Sequence, residues 1–213
     1  LVLATTEAGR VRAEASTAID RQTSALQSLF SVTRSIMLER VHNAMRLLRK
    51  EGDAIGQASV GGQITVPGHD GPVNDLVLGK TPQGNQFELV DSVTATMDGT
   101  ATLFSRTGEQ FVRVSTNVKK DDGSRAIGTI LDPNGPVIAQ IRKDESFYGV
   151  VDILGNPYVT GYEPIYPAGG SSAIGIWYVG YKTDLESLDR VISQSRVLDS
   201  GFIALFDSKG KLR

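Results

Sequence analysis

Apolar residues recur at steps of three and four through the first fifty positions of the chain. Between Thr5 and Glu51 there is no proline and a single glycine, Gly9, and Gly52 then supplies a stop signal. This spacing places the apolar side chains on one face of a helix. The apolar positions are Ile19, Leu26, Leu29, Phe30, Thr33, Ile36, Met37, Val41, Ala44, Leu47 and Leu48.

The predicted helix is long for a chain of 213 residues. At about 1.5 Å per residue it would extend on the order of 65 Å, which exceeds the width of a domain of this size. Its C-terminal half is apolar enough to pack on a domain, whereas its N-terminal half is rich in Ala, Thr, Arg and Glu. Two interpretations stay open: a core-packing helix with a frayed start, or a rod that leads toward a membrane or pairs with a second copy.

Strand-length apolar segments separated by Gly, Pro and Asn turns follow the helix. Residues 52–86 predict three or four short strands or extended pieces, and Phe87–Asp98 predicts a short helix. Beyond them we expect the strands Thr100–Ser105, Phe111–Val118, Phe147–Ile153, Pro157–Tyr166 and Ser172–Tyr181, with a helix over Pro136–Lys143. Tight turns between successive strands indicate an antiparallel sheet, so the predicted fold class is α+β, with the long helix covering one face of the sheet.

The end of the chain predicts a linker helix and a further strand. Thr183 and Glu186 have the spacing of a capping box, and apolar residues continue the helical pattern to Val197. Residues 201–210 then have the pattern of a strand that enters a turn. We therefore expect three parts: a long N-terminal helix over residues 1–52, a globular domain over 53–182, and a linker helix with the start of a strand over 183–213.

Composition excludes several kinds of protein. Hydrophobic residues make up 40% of the chain and charged residues 22%, as in a globular protein with a real core. The chain has no cysteine, so it has no disulfide and no thiolate site, which is compatible with an exported bacterial domain. Residues 1–50 hold eight Lys and Arg against four acids, but the arginines are scattered around the helix, so we expect no nucleic-acid partner. No run of about 18 apolar residues occurs.

Catalytic and metal-binding motifs are absent from the sequence. His42 lies on the predicted long helix and His69 in a loop rich in Gly and Pro, so the two do not form a convincing site. No HExxH, P-loop, GxSxG or GxGxxG pattern occurs. The acidic turns at residues 121–123 and 132–135 lack the spacing and the distal acid of a calcium loop. A hydrolase that uses Asp152 or Glu163 is a remote alternative. We expect no enzyme activity, no metal and no cofactor.

An arginine within a strand is the main candidate binding residue. Alternation in the strand Phe111–Val118 places Arg113 and Ser115 together on one face. The planar guanidinium is the side chain best matched to a carboxylate or phosphate, and the Ser115 hydroxyl would be a further donor. The alternative is that Arg113 pairs with an internal acid such as Asp152 or Glu163.

Aromatic residues on the following strands are candidates for the walls of the same pocket. Tyr158 and Tyr162 share a face of their strand, Trp177 lies on the next strand, and Tyr148 on the preceding one. Rings with polar tips both wall a small pocket and hydrogen-bond its contents. Cross-strand packing with the phenols at the rim is an equally good explanation.

Several segments in the same order resemble the Cache sensor domains, in particular the fused single-Cache type of bacterial methyl-accepting chemotaxis receptors and sensor histidine kinases. The resemblance covers about residues 60–181 and depends on Phe111–Asn117, Gly123–Thr129, Tyr148–Gly155, Tyr158–Ile165 and Ile174–Gly180.

That resemblance implies a PAS-like sheet with a small-molecule pocket between the sheet and its covering loops. It also implies a periplasmic location, a membrane helix before Leu1, and ligands that are small organic acids or amino acids. No clear acidic partner for an amine is found in the sequence, which favours a simple carboxylate as the ligand of Arg113. A homodimer through the N-terminal helix is the expected assembly, with the flanking membrane helices outside this fragment.

Two other functions remain as alternatives to a chemotaxis receptor that binds a small carboxylate. One is a structural or dimerisation module without a small-molecule ligand. The other is an amino-acid-binding sensor of a histidine kinase. Thermal shift or calorimetry with a panel of small acids and amino acids separates them.

Overall fold

The computed structural model describes residues 2–183 together with 196–197 and 201–202. It begins with one long helix, α1 (Val2–Ile55), which confirms the predicted N-terminal helix. In the C-terminal part of α1 the side chains of Val41, Ala44, Met45 and Leu48 are buried. Their steps of three and four give this part of α1 one apolar face.

The central sheet has five strands, all antiparallel, in the order β5-β4-β8-β7-β6. The bounds are β4 (Thr100–Thr107), β5 (Gln110–Thr116), β6 (Phe147–Ile153), β7 (Asn156–Ile165) and β8 (Gly175–Lys182). The β6–β7 hairpin closes through Leu154 and Gly155, both with positive φ, as the tight turn that matches the strand twist requires. The five predicted strands and the α+β fold class are confirmed.

A smaller sheet and two short helices complete the described fold. The small sheet contains β1 (Ala58–Ile64), β2 (Val73–Leu78) and β3 (Thr81–Pro82). Helix α2 (Glu88–Met97) precedes the central sheet, and helix α3 (Pro136–Ile141) lies in the segment between β5 and β6. Both helices were predicted, each with bounds one or two residues wider.

Apolar residues form two buried clusters, which we call the α1-side cluster and the α3-side cluster. The α1-side cluster joins α1, α2 and the small sheet to residues such as Leu103 and Trp177 of the central sheet. The α3-side cluster joins Ile138 of α3 to Phe104, Tyr162 and Tyr178. Since successive residues of a strand point to opposite faces, the two clusters occupy opposite faces of the central sheet.

The chain divides into two compact units. One is residues 36–183, which holds both sheets, α2, α3 and the C-terminal part of α1. The other comprises residues 1–35 with 184–213, and in it β9 (Arg196–Val197) pairs with β10 (Gly201–Phe202). The predicted linker helix falls mostly on residues 184–195, outside the described residues, and its last two residues are strand rather than helix.

Candidate functional site

Arg113 lies inside the protein, on the α3 side of the central sheet. It pairs with Phe104 of β4, and only 6% of its surface is exposed. Its guanidinium carbon lies 5.1 Å from the centre of the Phe104 ring, and Nη1 donates to Oγ1 of Thr129 at 2.7 Å. The segment after β5 lies beside β5 at the edge of the sheet, because the Arg113 amide donates to the carbonyl oxygen of Thr129 and the Gly128 amide donates to that of Arg113.

The charge of Arg113 has no counter-ion among the described residues. Its Nε is buried and has no hydrogen-bond partner there. Burial lowers the pKa of Arg113, and the nearby phenols of Tyr178 and Tyr162 oppose that change. A buried charge without a partner is costly, since neither water nor an ion compensates it.

The expected alternative, an internal acid paired with Arg113, is wrong for both candidates. Asp152 accepts a hydrogen bond from the amide of Gly155 at the β6–β7 turn. Glu163 forms an ion pair with Arg49 of α1, with 2.8 Å between Oε2 and Nη1, and accepts a hydrogen bond from Tyr148. Both acids are therefore engaged elsewhere.

Two buried tyrosines, Tyr162 and Tyr178, belong to the α3-side cluster on the same face as Arg113. Their ring centres are 4.9 Å apart, and the Tyr162 ring lies 6.4 Å from that of Phe104. Burial raises the pKa of both phenols, so at neutral pH each keeps its proton and is a hydrogen-bond donor. The Tyr178 hydroxyl shares a hydrogen bond of 3.1 Å with Thr100.

Tyr158 also contacts the α3-side cluster but is only half buried. It lies four residues before Tyr162 on β7, which places both on one face, as the sequence predicted. Among the aromatic candidates, the structure therefore brings Tyr158 and Tyr162 to the face of Arg113.

Ser115 lies on the opposite face from Arg113, contrary to the simple alternation that the sequence suggested. A bulge in β5 pairs Arg113 with Phe104 but Ser115 with Leu103, so Val114 is the extra residue. The Ser115 hydroxyl donates to the carbonyl oxygen of Gln86, just before α2.

Tyr148 and Trp177 face α1 rather than Arg113. Tyr148 stacks on His42 with 3.9 Å between ring centres, and its hydroxyl donates to Glu163. Trp177 is buried in the α1-side cluster next to Gly52. Of the six candidate site residues, Arg113, Tyr158 and Tyr162 thus share one face of the sheet, while the other three lie on the other.

Sequence reasoning left out three residues that contact or adjoin Arg113. Tyr178 follows Trp177 directly, so only one of the two can lie on the face of Arg113, and the pattern within β8 does not show which. Phe104 lies beside Arg113 because of the register between β4 and β5. Thr129 contacts Arg113 because the chain passes β5 again after leaving it, and the sequence carries no signal for either arrangement.

Arg125, which follows the turn at residues 121–123, contacts α2. It forms a bidentate ion pair with Asp91 and donates to the carbonyl oxygen of Thr116. It therefore ties the segment beside β5 to α2.

Three cavities of about 210, 280 and 590 Å³ lie elsewhere in the 36–183 unit, and none of the three reaches Arg113. The largest is lined by His42, Met45, Arg46, Arg49, Lys50, Asp53, Tyr148 and Glu163. Within the described residues no group of three or more His, Asp or Glu side chains could hold a metal ion. No helix in that part of the chain is long and apolar enough to cross a membrane.

The fold is that of an α+β domain in which a long helix packs on one face of an antiparallel sheet and a buried cation lies on the other. The chain belongs to the Cache 3/Cache 2 fusion domain family, whose model matches residues 5–213. As a Cache domain it is a sensor and not an enzyme.

Comparison with solved structures finds the sensory domain of the Campylobacter jejuni chemoreceptor Tlp3 (CcmL). The two are 12% identical, with a TM-score of 0.38 over 88% of this chain and 73% of that one. A second structure, the ligand-binding domain of Campylobacter jejuni Tlp3 in complex with L-valine, is also 12% identical, with a TM-score of 0.37 over 87% of this chain and 72% of that one. No curated protein matches the chain.

Proposed function

We propose that this chain is the extracytoplasmic sensory domain of a transmembrane chemotaxis receptor, and that it binds a small carboxylate at Arg113. The observation that carries the proposal is the buried Nε of Arg113, which has no partner among the described residues. A carboxylate would supply the missing acceptor and the missing counter-charge in one group. Membership of the Cache 3/Cache 2 fusion family supports the sensory role.

Ligand binding at Arg113 would reach α1 through the central sheet. Neighbouring residues of β8 serve opposite faces, since Tyr178 belongs to the α3-side cluster on the face of Arg113 and Trp177 lies against Gly52 of α1. On β7, Tyr162 belongs to the same α3-side cluster, whereas a Cβ at Gly161 would lie 2.9 Å from the side chain of Val41. Such close packing leaves little room for the strands to move without α1. A ligand shifts the balance of two arrangements only by its differential affinity for them.

The assembly we propose is a homodimer through α1. Among the described side chains of this helix, six large apolar ones are exposed: Val11, Ile19, Leu29, Val32, Ile36 and Ile55. Burial of such residues against a second copy would remove apolar area from water and stabilise the pair. Sedimentation equilibrium should show a dimer that Val32→Glu weakens and that the neighbouring exposed change Ser31→Glu leaves intact. A monomer at all concentrations contradicts this assembly.

Isothermal titration calorimetry tests the binding site. The protein is titrated with acetate, propionate, lactate, pyruvate, succinate, and the common amino acids. Arg113→Ala should weaken the binding of the best ligand by at least about 30-fold, because a buried charged hydrogen bond is lost. Arg113→Lys keeps the charge but loses Nε, and should weaken binding as well. The exposed Arg142→Ala is the control. Equal affinity in Arg113→Ala and the unmodified protein would exclude this site.

A further inference from the structure

We infer that the chain has a second binding site, for a phosphate monoester group, in the cavity between α1 and the strands β6 and β7. Arg46, Arg49 and Lys50 of α1 would hold the phosphate oxygens there. The cavity lies on the α1 side of the central sheet, opposite the face of Arg113. The site is therefore separate from the carboxylate site proposed above, and the two can be tested independently.

The cavity has the size and the lining of a small-molecule site. Its volume is about 590 Å³, which is within the range of sites that bind small organic molecules. Its lining residues on α1 follow steps of three and four, which place them on one side of the helix. The lining consists of His42, Met45, Arg46, Arg49, Lys50 and Asp53 of α1, with Tyr148 of β6 and Glu163 of β7. The cavity can therefore accept a phosphate group together with an organic part.

The positive charges of this lining lie close together. Burial and the hydrogen bond to Glu163 raise the pKa of Tyr148, whereas the charges of Arg49 and Arg46 both act to lower it. Both guanidinium groups are thus near enough to the same phenol to act on it. Lys50 lies four residues after Arg46, which makes these two cations neighbours on the helix surface. Like charges at this spacing destabilise a helix, and an anion bound between them would offset that cost.

Of these three cations, only Arg49 has an ion pair among the described residues. It uses Nη1 to bind Glu163, so Nε and Nη2 can serve another acceptor. Arg46 donates to the side-chain oxygen of Asn43, which carries no charge. Arg46 and Lys50 thus contribute two positive charges that no acid of the described chain compensates through an ion pair.

Two uncompensated cations match a dianion better than a monoanion. A phosphate monoester carries a charge of about −1.5 to −2 at neutral pH and has three strong acceptor oxygens. A guanidinium binds phosphate as a planar fork and a lysine binds it as a point charge. A monocarboxylate, with a single charge, would leave one cation unmatched. The acid of the lining that has no ion pair, Asp53, lies seven residues beyond Arg46, roughly 10 Å along the helix axis.

Occupation of this site would change how α1 is held on the sheet. Glu163 joins the two, because it pairs with Arg49 and accepts a hydrogen bond from Tyr148, whose ring stacks on His42. A phosphate that accepts from Arg49 competes with Glu163 for the same guanidinium. Removal of the charge of Glu163 should therefore strengthen phosphate binding.

Calorimetry on the intact chain in a phosphate-free buffer tests the site. The probes are inorganic phosphate and glycerol 3-phosphate, with acetate as the singly charged comparison. We expect glycerol 3-phosphate to bind one to one, at least about tenfold more tightly than acetate. Arg46→Gln and Lys50→Gln should each weaken its binding by at least about fivefold, as for a hydrogen bond to a charged group. Glu163→Gln should strengthen its binding.

Two control variants show whether the effects belong to this cavity. Arg34→Gln changes an exposed cation of α1 outside the cavity and should alter the affinity less than twofold. Arg113→Ala should leave glycerol 3-phosphate binding unchanged, which separates this site from the proposed carboxylate site. The melting temperature of each variant verifies its folding.

Vesicles of phosphatidylcholine, with and without phosphatidic acid, identify the source of the phosphate group. Binding to the phosphatidic acid vesicles that is lost in Arg46→Gln, at an affinity above that for glycerol 3-phosphate, supports the site and assigns the group to a lipid. Tighter binding of glycerol 3-phosphate supports the site and assigns the group to a soluble molecule. The inference is overturned if no phosphate probe saturates, if acetate binds as tightly, or if Arg46→Gln and Lys50→Gln leave the affinity unchanged.

Discussion

The guanidinium of Arg125 holds both carboxylate oxygens of Asp91, with Nη1 at 2.7 Å from Oδ1 and Nη2 at 2.8 Å from Oδ2. Nη1 also donates to the carbonyl oxygen of Thr116, and the guanidinium carbon lies 4.3 Å from the centre of the Phe87 ring. The hydrogen bonds to Asp91 raise the pKa of Arg125. The segment beside β5 is thereby attached to α2.

A double-mutant cycle on Arg125 and Asp91 should give a coupling energy of about 1 kcal/mol, because the pair is bidentate but partly exposed to solvent. The free energy of unfolding is measured by urea titration for Arg125→Ala, Asp91→Ala and the double variant. The exposed pair Arg10–Glu14, one turn apart on α1, is the control and should give no more than about 0.5 kcal/mol. Equal coupling for the two pairs would contradict a special role for the Arg125–Asp91 pair.

Replacement of Arg113 by methionine should stabilise the ligand-free protein. The substitution removes a buried charge without a counter-ion and keeps a flexible apolar side chain, so we expect a gain of about 1–2 kcal/mol in the free energy of unfolding. The same variant should lose carboxylate binding. Arg106→Met, at an arginine with partners, should give no gain. A loss of stability in Arg113→Met would show that the guanidinium is compensated in the free protein.

Gly52→Ala should destabilise the protein although alanine favours a helix. A Cβ at residue 52 would lie 2.4 Å from Cη2 of Trp177, whose ring is buried. Overpacking costs about 1–3 kcal/mol, more than the roughly 1 kcal/mol that alanine gains over glycine in a helix. Gly9→Ala on the same helix has no atom within 4 Å of the new Cβ and should be stabilising. The melting temperatures of the two variants should therefore move in opposite directions.

Stability should fall as the pH rises above 10. Burial raises the pKa of Tyr162 and Tyr178 above the ordinary value of 10.0. Below pH 10 both phenols are protonated in the folded and the unfolded protein, so their contribution to stability is fully present. Above pH 10 the unfolded chain loses these protons first, and the free energy of unfolding decreases with pH.

Tyr162→Phe tests this pH dependence directly. Removal of one buried phenol should make the loss of stability above pH 10 shallower, by up to about 1.4 kcal/mol per pH unit. Urea titrations at several pH values from 8 to 11 measure the slope. Identical slopes in the variant and the unmodified protein would mean that Tyr162 ionises as easily in the folded state as in the unfolded one.

Much of the fold could be predicted from local pattern. Steps of three and four identified α1, and turn residues separated the five strands of the central sheet, because both signals lie within a few residues of the chain. The buried arginine was also visible, since Arg113 stands between Val112 and Val114 in a strand.

The side of the sheet on which each candidate lies could be predicted only in part. The bulge at Val114 depends on pairing with β4, and it reverses the side of Ser115 relative to Arg113. Trp177 and Tyr148 would suit the wall of a pocket or a packed core equally well. Their contact with α1 follows from tertiary packing, which the local sequence does not encode. The contact between Arg125 and Asp91 joins residues 34 positions apart, which no periodicity records.

The burial of Arg113 has a kinetic consequence. Because only 6% of the Arg113 surface is exposed, a ligand that binds at Nε as we propose would need a prior opening of the structure around it. Its rate of association should then reach a plateau as ligand concentration increases. The speed of the response would be set by this local opening rather than by diffusion of the metabolite.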